Sequence, residues 1–168
     1  MIHICSLARL NDTVASTGAR HVVTLLRDIV VPSPPSIARG NHLVLRIDDI
    51  IEPIAGYTEP LADHIATLVE FVERWDRHTP IVFHCYAGIS RSTAAAFTAA
   101  CLINPAREET EIAQAIRRAL PIAQPNARIV ALADQVLGRD GRMIEAIRAI
   151  GRGNGAYEGE PFHLDIDS

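Results

Sequence analysis

The stretch IVFHCYAGISRSTAAAFTAA, which begins at Ile81, constrains the fold of this chain more than any other. Its opening run, Ile81-Val82-Phe83-His84, is β-branched and aromatic and reads as a buried strand. Its closing part, from Ser92 to Ile103, is alanine-rich and reads as a helix. Between them lies a six-residue loop with Gly88 where a tight turn calls for a residue without Cβ. A strand that passes into a helix through so short a loop belongs to a sheet with helices packed on it.

The rest of the chain fits that frame. Three more short β-branched runs, Ile2–Cys5, His21–Leu26 and His42–Ile47, read as strands. A short helix is expected over about Leu10 to Ala19. A longer one is expected from Pro60 to Arg77, where Leu61, Ile65, Leu68, Val69, Val72 and Trp75 keep helical spacing behind a first-turn proline. The later pattern is helical: Glu108–Leu120, Pro125–Leu137 and Arg142–Ile150 follow the alanine-rich segment, with breaks at Asn104-Pro105, Pro121, Gly138 and Gly151. The expected class is α/β, a central mixed sheet of four to five strands flanked by helices. With 168 residues there is room for one full domain. We assign it to residues 1–150, with 151–168 as a glycine-bearing tail expected to be extended or irregularly docked.

Composition removes several classes of function. The net charge of −4 gives no broad positive field for nucleic acid or an anionic membrane, so an anion site must be local. All the basic residues are arginine, which excludes Schiff-base lysine chemistry and a Walker lysine and points to a GC-rich source genome. Cys5, Cys85 and Cys101 are too few and too scattered for a disulfide framework or a zinc knuckle, so reduced thiols in the cytoplasm are expected. The start MIHICSLARL does not read as a secretory signal, and the longest uncharged run, Ser92–Ala106, contains Pro105 and is too short to span a bilayer.

The chemistry concentrates between His84 and Ser92. A strand, a tight loop and a helix N-terminus direct successive backbone N–H groups and the positive end of a helix dipole into one concavity, which suits a tetrahedral oxyanion. Arg91 adds a planar two-pronged donor that lysine could not reproduce. Cys85 sits at the base, where positive surroundings raise the fraction of nucleophilic thiolate. Ser92 is placed to hydrogen-bond that sulfur, and His84 to order the loop through its ring. Cys101 also has an arginine six positions later, Arg107, but without glycine or strand between them, so that spacing is coincidental.

The segment HCYAGISRS, residues 84–92, resembles the HCxxGxxR[ST] loop of the protein tyrosine phosphatase superfamily, and most of all its compact dual-specificity branch. Ala19–Leu26 is similar to that branch's second strand, and Phe71–Cys85 to its approach to the loop. The resemblance implies that Cys85 is the nucleophile, that Tyr86, Ala87, Gly88, Ile89, Ser90 and Arg91 bind phosphate, and that neither metal nor cofactor is used. It also implies an upstream aspartate that protonates the leaving group. Asp49, two positions past Ile47, is assigned that role. Asp48 stands beside it as the alternative, and a turn-capping use competes for either carboxylate. The implied reaction is hydrolysis of a phosphomonoester, in a phosphorylated protein or a small molecule, through a cysteinyl-phosphate. The competing readings are a phosphate-binding module without turnover and a rhodanese-like sulfurtransferase. Nucleic acid and membrane are not expected partners, and the oligomeric state is not legible. Arg117, Arg118, Arg139 and Arg142 read as solvated helix faces, and Tyr57 and the Pro32–Pro35 loop as candidate walls of a cleft.

Overall fold

The computed structural model describes residues 1–166. Among them the four expected strands form and a fifth joins them: β1 (Ile2–Ser6), β2 (His21–Leu25), β3 (His42–Leu45), β4 (Ile81–Cys85) and β5 (Phe162–Leu164), in the spatial order β3-β2-β4-β1-β5. The first four are mutually parallel, and β5 runs antiparallel to β1. The apolar run that ends at Cys85 takes the central position between β1 and β2, where both its faces are covered and every residue is buried.

The helices are α1 (Leu10–Thr17), α2 (Ala62–Arg74), α3 (Arg91–Ile103), α4 (Glu109–Ala119), α5 (Ala127–Val136) and α6 (Arg142–Ile150). α1 closes one face of the sheet, with Leu10 and Val14 packed on Val22 and Val82. The other five supply the opposite face, where Phe97, Ile112, Ile129 and Met143 share a core with Ile4, Val23 and Phe83. α3 is buried from Arg91 through Cys101, which explains why it is alanine-rich and lacks a polar stripe: a helix enclosed on all sides must be small enough to be surrounded.

Two expectations change in the structure. The tail is irregular only to Pro161 and then forms β5, with Leu164 and Ile166 buried in the core. A three-residue edge strand is too short to show alternation in the sequence. Arg139 is not solvated but 8% exposed; it donates to Glu109 Oε1 at 3.2 Å and to the Cys101 carbonyl at 2.6 Å, tying the end of α3 to α4. Arg117 likewise donates to the carbonyls of Pro121 and Gly151 instead of standing free.

The β1–β5 edge carries a consequence for stability. His3 and His163 face one another across it, ring centroids 5.7 Å apart. Burial, and then the charge of His163, push the His3 pKa down to about 4. The unfolded chain therefore binds more protons than the folded one between that value and the ordinary histidine range. Stability is complete above about pH 6.5 and is lost as the pH falls towards 4, on the order of 1–3 kcal/mol for this residue. Urea unfolding from pH 4 to 7.5 should show a slope of that sign, to which the buried His84 also contributes, and His3→Gln should reduce it; an unchanged slope in the variant would remove His3 as a source.

Candidate active site

Cys85 ends β4 and Arg91 opens α3, so the loop between them sits at the carboxyl edge of the parallel strands, where α/β sheets place their ligands. Gly88 makes the turn. Its φ is +72°, and a Cβ there would lie 2.8 Å from the Cys5 carbonyl carbon and the Ser6 nitrogen, so the loop rests directly on the end of β1.

Tertiary contacts turn the loop's carbonyls outward. The Tyr86 carbonyl accepts from Leu7 N–H at 3.1 Å and that of Ala87 from Gly159 N–H at 2.8 Å. The Ile89 carbonyl accepts from Gln124 N–H at 3.0 Å and from the Thr93 hydroxyl at 2.6 Å. Ser90 O accepts from Asn126 N–H at 3.2 Å, Ala94 N–H at 3.1 Å and the Thr93 hydroxyl at 2.9 Å. In a planar trans peptide the N–H points away from the carbonyl, so the N–H groups of residues 87, 88, 90 and 91 turn the opposite way. Among the described residues the N–H groups of 86 to 90 have no protein acceptor. A tight loop with such unpaired N–H groups is suited to an anion.

Cys85 is 2% exposed, and its Sγ lies 3.2 Å from the Ser92 Oγ at the first turn of α3. The Arg91 guanidinium donates from Nη1 to the Ile47 carbonyl at 3.0 Å, while its Nε has no protein partner. That anchor holds the guanidinium at the floor of a cleft of about 730 Å³, which is also lined by Tyr86, Ala87, Ile89, Ser90, Asp49 and Asn126. His84 lies on the opposite sheet face, fully buried. Its Nε2 pairs with the Thr24 hydroxyl at 2.7 Å, and that hydroxyl also meets His42 Nε2 at 2.8 Å. Burial, with His42 and Arg91 nearby, lowers the His84 pKa to about 4, so the ring is neutral at pH 7 and braces β4 against β2.

The two neighbouring aspartates point to different partners. Asp48 accepts from Arg27 Nη1 at 2.9 Å and from Thr58 N–H at 2.7 Å, which closes the excursion between residues 48 and 58. Asp49 lines the cleft and accepts through Oδ1 from the Ser90 hydroxyl at 2.7 Å and the Asn126 amide at 2.8 Å. Tyr57 lies under the Arg27 guanidinium, 5.9 Å from it, and the Pro32–Pro35 loop lines a separate hollow; neither borders the cleft.

Asn126 is the residue that sequence reasoning missed. The apolar spacing places it inside a helix starting at Pro125, but it is the N-cap of α5: its Oδ1 accepts from the N–H groups of Arg128 and Ile129, and its Nδ2 holds Asp49. The signal was present, since asparagine directly before an apolar helical run is an N-cap signature. Cys5 and Cys101 are buried core thiols that burial pushes up to about 12. Cys5 pairs in register with His84 and packs with Val22 and Val82, on the face of the sheet away from Cys85. No group of three or more His, Cys, Asp or Glu side chains among the described residues could hold a metal ion.

A buried thiol at the head of a loop whose carbonyls are tied outward, with a buried arginine at the loop's end, has the form of a phosphate-binding loop on an α/β sandwich. Residues 56–120, which contain that loop, match the family model "Protein-tyrosine phosphatase". Over that segment the chain is similar to the protein-tyrosine phosphatase family. Solved structures share the fold. Human DUSP28 superposes with a TM-score of 0.64 at 21% identity, covering 88% of this chain and 94% of that one. The Yvh1 phosphatase domain from Chaetomium thermophilum gives 0.65 at 16% identity, covering 84% and 93%. A mouse putative dual specificity phosphatase complexed with zinc tungstate gives 0.59 at 22% identity, covering 82% and 80%. No curated protein matches by sequence.

Proposed function

We propose that the protein hydrolyses phosphomonoesters, with Cys85 as nucleophile and Asp49 as general acid and base. The observation that carries this reading is the loop itself: carbonyls tied outward at 86, 87, 89 and 90, the Arg91 guanidinium lining the cleft, and the Cys85 sulfur held by Ser92 at the start of the loop. The thiolate attacks phosphorus and the P–O bond to the leaving group breaks, while Asp49 gives its proton to the departing oxygen. A water oxygen then attacks the cysteinyl-phosphate as Asp49 takes its proton. The P–S bond breaks, orthophosphate leaves and the thiolate is restored. Ser92 steadies the sulfur as a leaving group in this second step. The N–H groups and Arg91 are preorganised for charge on the equatorial oxygens, so they need no rearrangement as the reaction proceeds.

Asp49 suits its role because its Oδ1 is held by Ser90 and Asn126 while Oδ2 has no protein partner among the described residues and is free to carry the proton. The cleft wall offers Ile50, Ile51 and Ile54 around the single cation Arg91, which favours a substrate with one phosphate on an apolar or aromatic body, such as phosphotyrosine in a protein. Free cysteines fit a reducing compartment, and we place the protein in the cytoplasm. Among the described residues no helix is long and apolar enough to cross a membrane. The test is release of phosphate from p-nitrophenyl phosphate, with steady turnover expected in EDTA and inhibition by vanadate. Binding of vanadate without turnover would leave only a phosphate-binding module, and cyanide-dependent turnover of thiosulfate would identify a sulfurtransferase.

A further inference from the structure

The tail takes no part in the chemistry above, yet it is fastened to the loop that performs it. Arg117 Nη2 donates to the Gly151 carbonyl at 2.8 Å, and Asn154 N–H to that of Pro121 at 3.3 Å. A Cβ on Gly153 would lie 2.6 Å from the Ala123 carbonyl oxygen, so the tail is pressed onto the segment whose Gln124 holds Ile89. Glu158 accepts from the hydroxyl of Ser6, which is fully buried and is the register partner of Cys85. Gly159 is buried and gives its N–H to Ala87 O, and a Cβ there would stand 3.1 Å from the Gly88 oxygen and 3.4 Å from that of Ala87. β5 then anchors the end of the tail on β1.

We propose that residues 151–159 are a strap that holds the Ala87–Gly88 peptide with its N–H in the anion cup, and that Gly159 is its positioning residue. The carbonyls of Ile89 and Ser90 each have at least two donors, so losing one leaves their orientation fixed. Among the described residues the Ala87 carbonyl is held by Gly159 alone, and the next residue is a glycine, which tolerates both orientations of the peptide. Without the strap this peptide is free to turn its oxygen into the cup, where it would repel an oxyanion. A side chain at 159 would crowd the loop, because there the backbone of the strap runs close to the backbone of the loop.

The inference rests on the phosphate-cup reading, so its test uses tungstate binding, which needs no turnover. In wild type, calorimetry should show tungstate bound and the Gly88 amide resonance should shift with it. Gly159→Pro removes the N–H and is expected to weaken tungstate about tenfold, the scale of one hydrogen bond to a charged group, and to abolish the Gly88 shift. Its thermal midpoint, measured alongside, shows whether the variant is folded. A folded Gly159→Pro protein that binds tungstate like wild type overturns the strap. If that variant does not fold, Glu158→Ala, which frees the strap from Ser6 without touching a loop donor, decides the matter: weaker tungstate binding supports the strap and unchanged binding overturns it. A wild-type protein that binds no tungstate would instead remove the cup, and with it the function proposed above.

Discussion

Replacing Cys85 with serine is expected to abolish turnover while leaving the oxyanion site in place. The loop's carbonyl anchors at Leu7, Gly159, Gln124 and Asn126 do not involve the Cys85 side chain, and its sulfur contacts the Ser92 hydroxyl. A serine of similar shape keeps that contact. What disappears is the sulfur, for which a hydroxyl is no substitute as nucleophile or leaving group. Phosphate release should fall by at least about 10⁴-fold, the scale on which removing a nucleophile acts. Tungstate affinity should change by less than about threefold, under 1 kcal/mol. Unchanged turnover would take Cys85 out of the mechanism, and loss of tungstate binding would show that the thiol shapes the cup rather than reacting in it.

The second large effect separates the two aspartates. Asp49→Asn should lower kcat by about 10² to 10⁴ on alkyl phosphates such as phosphoserine, whose oxygen leaves poorly without a proton. The loss on p-nitrophenyl phosphate should be smaller, because nitrophenolate leaves well unaided. Asn can still accept from Ser90 and from Asn126, so the fold around it should survive. Asp48→Asn should do the reverse. It weakens the ion pair with Arg27 and the acceptor for Thr58 N–H, at a cost of about 1–2 kcal/mol in stability, with little change in kcat. A kcat loss that follows Asp48 and spares Asp49 would move the acid by one residue.

Much of this molecule was legible before its structure, and the reason is periodicity. The strands at Ile2, His21, His42 and Ile81 and the six α-helices announce themselves because each buries a face or is buried altogether, and burial writes itself as apolar spacing. The errors fall where that signal is absent. β5 has three residues and no room for a pattern. The helix read from Pro125 begins at Ala127, a shift of two residues that hid Asn126, the cap whose other end holds Asp49. Arg139 looked like any charged helix residue, because nothing along the chain shows that Glu109 and the Cys101 carbonyl will meet it.

The sequence by itself determined the sulfur, the turn and the guanidinium: Cys85, Gly88 and Arg91 lie within one strand–loop–helix passage, where local geometry brings them together whatever surrounds them. The tertiary structure alone decided which aspartate faces the cleft and which way the loop's peptides point. Asp48 and Asp49 are chemically alike, and their partners, Arg27 and Thr58 for one, Ser90 and Asn126 for the other, are distant in the chain. The carbonyls at 86, 87, 89 and 90 are turned by donors at 7, 159, 124 and 126. A hydrogen bond between segments so far apart forms only after the sheet and helices have been assembled, and it leaves no periodic trace in the order of residues.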